Sequence, residues 1–152
     1  MITKTSSGYK VASPGVLLVL VCFFLPWVLQ SCGNAPPQEY SGWQLAVGNA
    51  AAGERYNGNL LIFIVPLAAI VVAVLAVRSI QRSYLSLWDG LVPTGLGGLV
   101  LIFLFLQFGR PVSEGSTRQI LYGLWGVVIG WVLITAGGLL NLLEGRKPPS
   151  KI

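Results

Sequence analysis

The chain contains no histidine. Of its 152 residues only 10% are charged, two are cysteine, and the single methionine is Met1. Each scarcity excludes a class of protein. Without imidazole there is no histidine ligand for zinc or haem, and no side chain whose ordinary pKa lies near neutrality. Two cysteines cannot form a disulfide scaffold. A soluble domain carries about 25% charged residues, and a disordered tail is poor in apolar ones. This chain has 54% apolar residues and a mean hydropathy of +0.73. The expected class is an all-α integral membrane protein, a single transmembrane domain over residues 1–152.

Four apolar runs are long enough to cross the ~30 Å hydrocarbon layer as helices. They are Val11–Leu29, Leu60–Val77, Gly90–Phe108 and Ile120–Leu143, and none contains Asp, Glu, Lys or Arg. They lack the alternation of transmembrane strands. Helices are expected over about 14–30, 59–79, 87–108 and 117–143, as an antiparallel bundle with an outer loop over 31–58. Ser13-Pro14 reads as a cap and first helical position. Ser86–Asp89 and Ser116–Gln119 read as capping boxes. Pro26 and Pro66 should kink or end their helices.

Charge sets an expected orientation. The N-terminus, the 78–88 loop and the C-terminal tail hold Lys4, Lys10, Arg78, Arg82, Arg146, Lys147 and Lys151; the other side holds Arg55, Arg110 and Arg118. The positive-inside rule puts both termini in the cytoplasm and the chain in the inner (cytoplasmic) membrane of a cell. The net charge of +5 then belongs to the cytoplasmic face, where it attracts anionic lipid; nucleic acid is not an expected partner. Trp27, Trp43, Tyr40, Tyr56, Tyr122 and Trp125 fall near the outer interface, and Tyr9, Tyr84 and Trp88 near the inner one. Trp131 falls mid-span, where packing is the expected role.

Apolar helices gain nothing by leaving lipid, so their association relies on close backbone approach and interhelical hydrogen bonds. On the last run Gly123, Gly126, Gly130 and Gly137 share a face with Gln119 and Asn141. On the third, Gly90, Thr94 and Gly98 form consecutive small-xxx-small pairs, with Gly97 beside them. These two faces are expected to meet each other or a partner helix.

In the outer loop, Pro36-Pro37 blocks helix, and Ser41 is placed to cap a short helix from Gly42 to about Ala52, with Trp43 and Leu45 on the membrane surface. Phe24-Leu25-Pro26-Trp27-Val28, Ser31-Cys32-Gly33 and Ser41-Gly42-Trp43-Gln44-Leu45-Ala46 together resemble a pattern in small uncharacterised bacterial membrane proteins with four helices. The resemblance covers residues 24–46 and implies no activity. The four-helix layout with a Trp/Cys-bearing loop is also similar to claudin-type proteins, but that loop requires a cysteine pair and only Cys32 is present. Leu29-Gln30-Ser31-Cys32 resembles a lipobox, with an interfacial cysteine as the plainer reading. Ten helical residues would hold Cys22 and Cys32 about 15 Å apart, too far for a disulfide.

Little chemistry remains. No Walker loop, Rossmann fingerprint or CxxC pair occurs. Ion-coupled transport needs ionisable groups at membrane depth, whereas the polar residues there are Thr94, Gln107, Thr135 and Asn141. Glu39, Glu54 and Glu114 are the carboxylates a lipid-acting enzyme would have to use. No catalytic residue, metal or cofactor is expected. The expected function is a non-catalytic accessory or scaffold subunit of a larger bacterial membrane complex, with lipid and other membrane subunits as partners. The contacts would run through the glycine faces and through the loop residues Trp27, Cys32 and Trp43. The alternative is a small homo-oligomeric channel or transporter.

Overall fold

The computed structural model describes residues 7–32, 36–48, 58–81, 87–109 and 116–145. Chain order is α1 (Ser7–Cys22), β1 (Pro26–Cys32), β2 (Gln38–Ser41), α2 (Gly42–Val47), a 3-10 turn (Leu60–Phe63), α3 (Ile64–Gln81), α4 (Trp88–Phe108), β3 (Ser116–Ile120) and α5 (Tyr122–Gly145). The chain is mostly helical. Three helical stretches are long and apolar enough to cross a membrane: Leu60–Ser79, Trp88–Phe108 and Tyr122–Glu144. α1 is apolar but has only 16 residues.

The expectation of an all-α fold needs correction. β1 pairs antiparallel with both β2 and β3, giving a sheet of order β2-β1-β3. Two expected helices therefore lose the ends that meet at the sheet. The first stops at Cys22 instead of continuing to residue 30, because Pro26 has no amide to donate and biases the preceding residue toward extended backbone. The last starts at Tyr122, and the supposed capping box Ser116–Gln119 is strand. Cys22 and Cys32 are thus joined by a turn and a strand, which rises faster per residue than helix. The start of α1 is also earlier than expected. Ser7 opens the helix and Pro14 lies inside it, on an exposed face. At α4 the N-cap is Leu87, with no side-chain cap bond; Ser86 lies outside the described residues.

α5 is the hub. Its most extensive partner is α1, followed by α4, while α3 packs against both α1 and α4. Gly8 of α1 lies against Gly137 and Asn141, and Cys22 at its other end against Gly126, so α1 and α5 run antiparallel. β1 and β3 continue this antiparallel pair beyond the helices, in register from Val28↔Ile120 to Cys32↔Ser116. Val19, Phe23, Val65, Val72, Val100, Val127, Trp131 and Ile134 fill the core between the four helices.

Proline chemistry also ties the opposite end together. Pro93 lies within α4, so the carbonyl four residues earlier, on buried Asp89, has no helical donor. That carbonyl accepts from the Tyr9 hydroxyl at 3.3 Å and from Asn141 Nδ2 at 3.4 Å. Tyr9, Asp89 and Asn141 are all buried. One orphaned backbone group thereby draws α1, α4 and α5 to a common point, since leaving it unsatisfied in the interior costs about 1–3 kcal/mol.

Candidate functional site

The glycine faces are the strongest sequence signal, and the structure separates them. Gly123, Gly126, Gly130 and Gly137 all face α1 or the turn that follows it, not α4. A β-carbon on Gly130 would stand 2.7 Å from Val19 Cγ2 and 2.8 Å from the Gly15 carbonyl oxygen. The same atom on Gly15 would be 2.6 Å from the Gly130 carbonyl oxygen. Gly137 meets Gly8 and Ala12, Gly126 meets Cys22, and Gly123 meets Pro26. The α1 side of this seam is Gly8, Ala12, Gly15, Val19 and Cys22, in alternating steps of four and three that keep one helix face on the partner.

On α4, Gly90 packs against Leu142, Thr94 against Gly138, and Gly97 against Thr135. Gly98, expected to continue the Gly90–Thr94 face, has nothing within 4 Å of its β-carbon position, and neither does Gly95. Steps of four overshoot a helical turn by about 40° each, whereas a step of seven falls short by only about 20°. Gly97 therefore returns to α5 and Gly98 rotates away. Thr94 and Thr135 satisfy their hydroxyls within their own helices, on the Gly90 and Trp131 carbonyls, both at 2.8 Å.

Among the described residues, nothing covers the outward α4 face. Leu91, Gly95, Gly98, Leu99 and Ile102 lie within about 100° of helix circumference. All are exposed except Gly98, which is half-buried. Among helical glycines from Gly8 to Gly138, only Gly95 and Gly98 have no neighbour at the β-carbon position.

The three loop residues have different fates. Trp27, expected to touch a partner, is fully buried. Its indole Nε1 donates to the Cys22 carbonyl at 2.8 Å, capping the end of α1. It also packs edge-on against Phe23 and Phe108. Trp43 donates its backbone N–H to the Phe23 carbonyl at 3.3 Å, but the residue is 46% exposed, its ring stacked 6.2 Å from Phe24 and edge-on to Phe63 at 5.5 Å. The backbone of Cys32 pairs with Ser116 at the end of β1. Lipidation of Cys32 would require removal of α1, the largest partner of α5.

The Ser41 cap forms as a full capping box. Ser41 Oγ accepts from Gln44 N at 3.2 Å, and Gln44 Oε1 accepts from Ser41 N at 2.9 Å. The helix it opens ends at Val47 rather than Ala52, because Gly48 takes a φ of 89°, a conformation glycine tolerates without strain. Leu45 faces inward, not the membrane surface.

No protein-family model matches the chain, and no curated protein matches it. Gln119, expected on the α5 glycine face, lies exposed in β3, while Asn141 is buried on Asp89. Glu39 is exposed in β2, and Glu54 and Glu114 lie outside the described residues. Among the described residues no cluster of three His, Cys, Asp or Glu stands ready to hold a metal. Trp131 is fully buried and, among the described residues, its Nε1 is the one buried side-chain polar atom without a partner. A second feature had no sequence signal: a cleft where β1, β3, α2, the 3-10 turn and the end of α4 converge, lined by polar Gln30, Asn59, Gln107 and Arg118 together with Val28, Leu45, Ile62 and Phe108.

Proposed function

We propose that the chain is a non-catalytic accessory or scaffold subunit of a larger bacterial membrane complex, docked through the outward face of α4. The observation that carries this reading is the contrast in glycine use. Every other helical glycine from Gly8 to Gly138 is pressed against a neighbour, whereas Gly95 and Gly98 sit on a bare apolar face. Glycine is costly inside a helix relative to alanine, and in a membrane helix the return on that cost is close approach of another backbone. Leu91, Leu99 and Ile102 flank the two glycines and supply the rest of a helix-docking surface. The exposed pair Trp43 and Phe24 supplies the loop contact.

In this reading the three long helical stretches and the shorter α1 all span, and both termini are cytoplasmic in the inner membrane. The seven-to-three cation imbalance supports that orientation. The meeting of Gly8 with Asn141 at one end of the bundle supports two termini on the same side, and the charge count alone chooses which side that is. The channel alternative needs a polar stripe free to line a pore, but the α5 glycine face is filled by α1 and Asn141 is engaged with Asp89.

Blue-native electrophoresis of the wild-type chain from its own membranes, with mass spectrometry of co-migrating proteins, tests the proposal. The expected result is a high-mass assembly from which a Gly95→Leu/Gly98→Leu variant is released as a folded free chain. Migration of the wild type only as a monomer overturns it.

A further inference from the structure

The polar cleft holds an open cavity of about 60 Å³, room for about four water molecules at about 10–15 Å³ each, and hence for one phosphate-sized group. Among the described residues that line it, the one charge is the cation of Arg118. Arg118 and Gln30 are directly opposed across the β1–β3 ladder, so their side chains share the sheet face that looks into the cavity. The Arg118 guanidinium lies over the Phe108 ring, 5.9 Å from its centroid, which holds the cation in place without neutralising it. No carboxylate among the described residues lines the cavity. The nearest strand acid, Glu39, pairs with Leu29, one residue out of phase with Gln30, and so belongs to the opposite face of the sheet.

The amides suit an anion as well. Asn59 Oδ1 is already used, accepting from Leu61 N at 3.1 Å, which leaves its NH2 end as the donor. Gln30 and Gln107 bring carboxamides from β1 and α4. The negative end of the α4 dipole at Gln107–Phe108 is opposed by the positive start of the Leu60–Gln81 helical run at Asn59. Position supplies the last argument. The three membrane-length stretches begin at Leu60, end at Phe108 and begin at Tyr122. Asn59, Gln107 and Arg118 therefore mark one level at the ends of all three, where headgroup phosphates lie.

We infer that this cleft binds a phosphate-type oxyanion, with Arg118 as its charge and Gln30, Asn59 and Gln107 as amide donors. The headgroup phosphodiester of an anionic phospholipid is the source its depth favours, and a free inorganic phosphate shares the same chemistry. One copy of the chain suffices, so the site stands apart from the docking face on α4.

The test uses the full chain, purified in neutral detergent, stripped of lipid and titrated with phosphatidylglycerol or phosphatidylcholine under native mass spectrometry. Both lipids carry the phosphodiester, but phosphatidylcholine also brings a choline cation beside Arg118, where like charge repels and no amide donor serves it, so phosphatidylglycerol should bind about tenfold more tightly. Arg118→Gln should erase that preference and Arg118→Lys should retain part of it. Gln30→Ala should weaken phosphatidylglycerol binding several-fold, providing a second readout should Arg118→Gln not fold. Competition by millimolar inorganic phosphate assigns the site to the free anion, and lack of competition assigns it to the lipid. Equal binding of the two lipids together with no response to inorganic phosphate, or a preference unchanged in Arg118→Gln, overturns the inference.

Discussion

Two regions of the molecule use the same residue type in opposite ways. Along the α1–α5 seam, glycines at 8, 15, 123, 126, 130 and 137 bring two backbones together, and no β-carbon fits without displacing a neighbour. On the outward face of α4, Gly95 and Gly98 meet nothing. Small residues at helical spacing therefore announce a contact without saying with whom. The seam's contact is made within the chain and holds the fold. The α4 face leaves a contact unmade, and the proposed partner belongs there.

Substitutions that fill each region should separate the two roles. Gly130→Leu places a branched side chain where Val19 and the Gly15 carbonyl already stand, and overpacking a backbone contact costs about 3 kcal/mol or more. The variant should not fold in detergent, seen as loss of a cooperative transition monitored by tryptophan fluorescence. Trp27→Ala should cost about 3–5 kcal/mol through the lost aromatic packing. Trp27→Phe, which keeps one aromatic ring but loses the bond to the Cys22 carbonyl and part of the buried packing, should cost less, about 1–3 kcal/mol.

A milder effect is expected where the seam is tied off. Tyr9→Phe and Asn141→Leu each remove one donor from the Asp89 carbonyl and should each cost about 1 kcal/mol. With Pro93→Ala restoring an α4 amide for that carbonyl, the cost of Tyr9→Phe should shrink, and a double-mutant cycle measures the difference. At the other extreme, Gly98→Leu should leave the unfolding free energy within about 0.5 kcal/mol of wild type while releasing the chain from its assembly. Loss of both stability and assembly in Gly98→Leu would erase the contrast between the two regions.

Much of this was legible in the sequence, in uneven measure. Hydropathy located the three long helices because continuous apolar runs with charged flanks have no other stable solution at that length. The Ser41 capping box was legible because it is a local pattern of four residues. The sheet was not: Val11–Leu29 is apolar throughout, and periodicity cannot distinguish helix from a short buried strand inside such a run. Only Pro26 marked the change. Reading Ser13-Pro14 as a helix start hides Gly8 and Ala12, and with them part of the α1 half of the seam, which leaves α4 or a partner helix as the expected neighbour of the α5 glycines. The Asp89 carbonyl and the Arg118 cleft depend on residues from three and four separate segments, and no single stretch carries a signal for either.

The central claim is that α1 occupies the α5 glycine face inside one chain. Native Cys22 offers a direct measurement: a β-carbon on Gly126 would stand against Cys22 Sγ, which must rotate aside, and 3.2 Å from Cys22 Cβ, so a few tenths of an ångström of give brings the pair into the ~3.5–4.5 Å span of disulfides. In a Cys32→Ser background, Gly126→Cys should form an intrachain disulfide with Cys22 on mild oxidation, leaving a monomer whose thiols resist alkylation. Gly98→Cys in the same background should leave Cys22 unpaired. A Gly126→Cys chain whose thiols both remain alkylatable, or which cross-links only into dimers, would contradict the account.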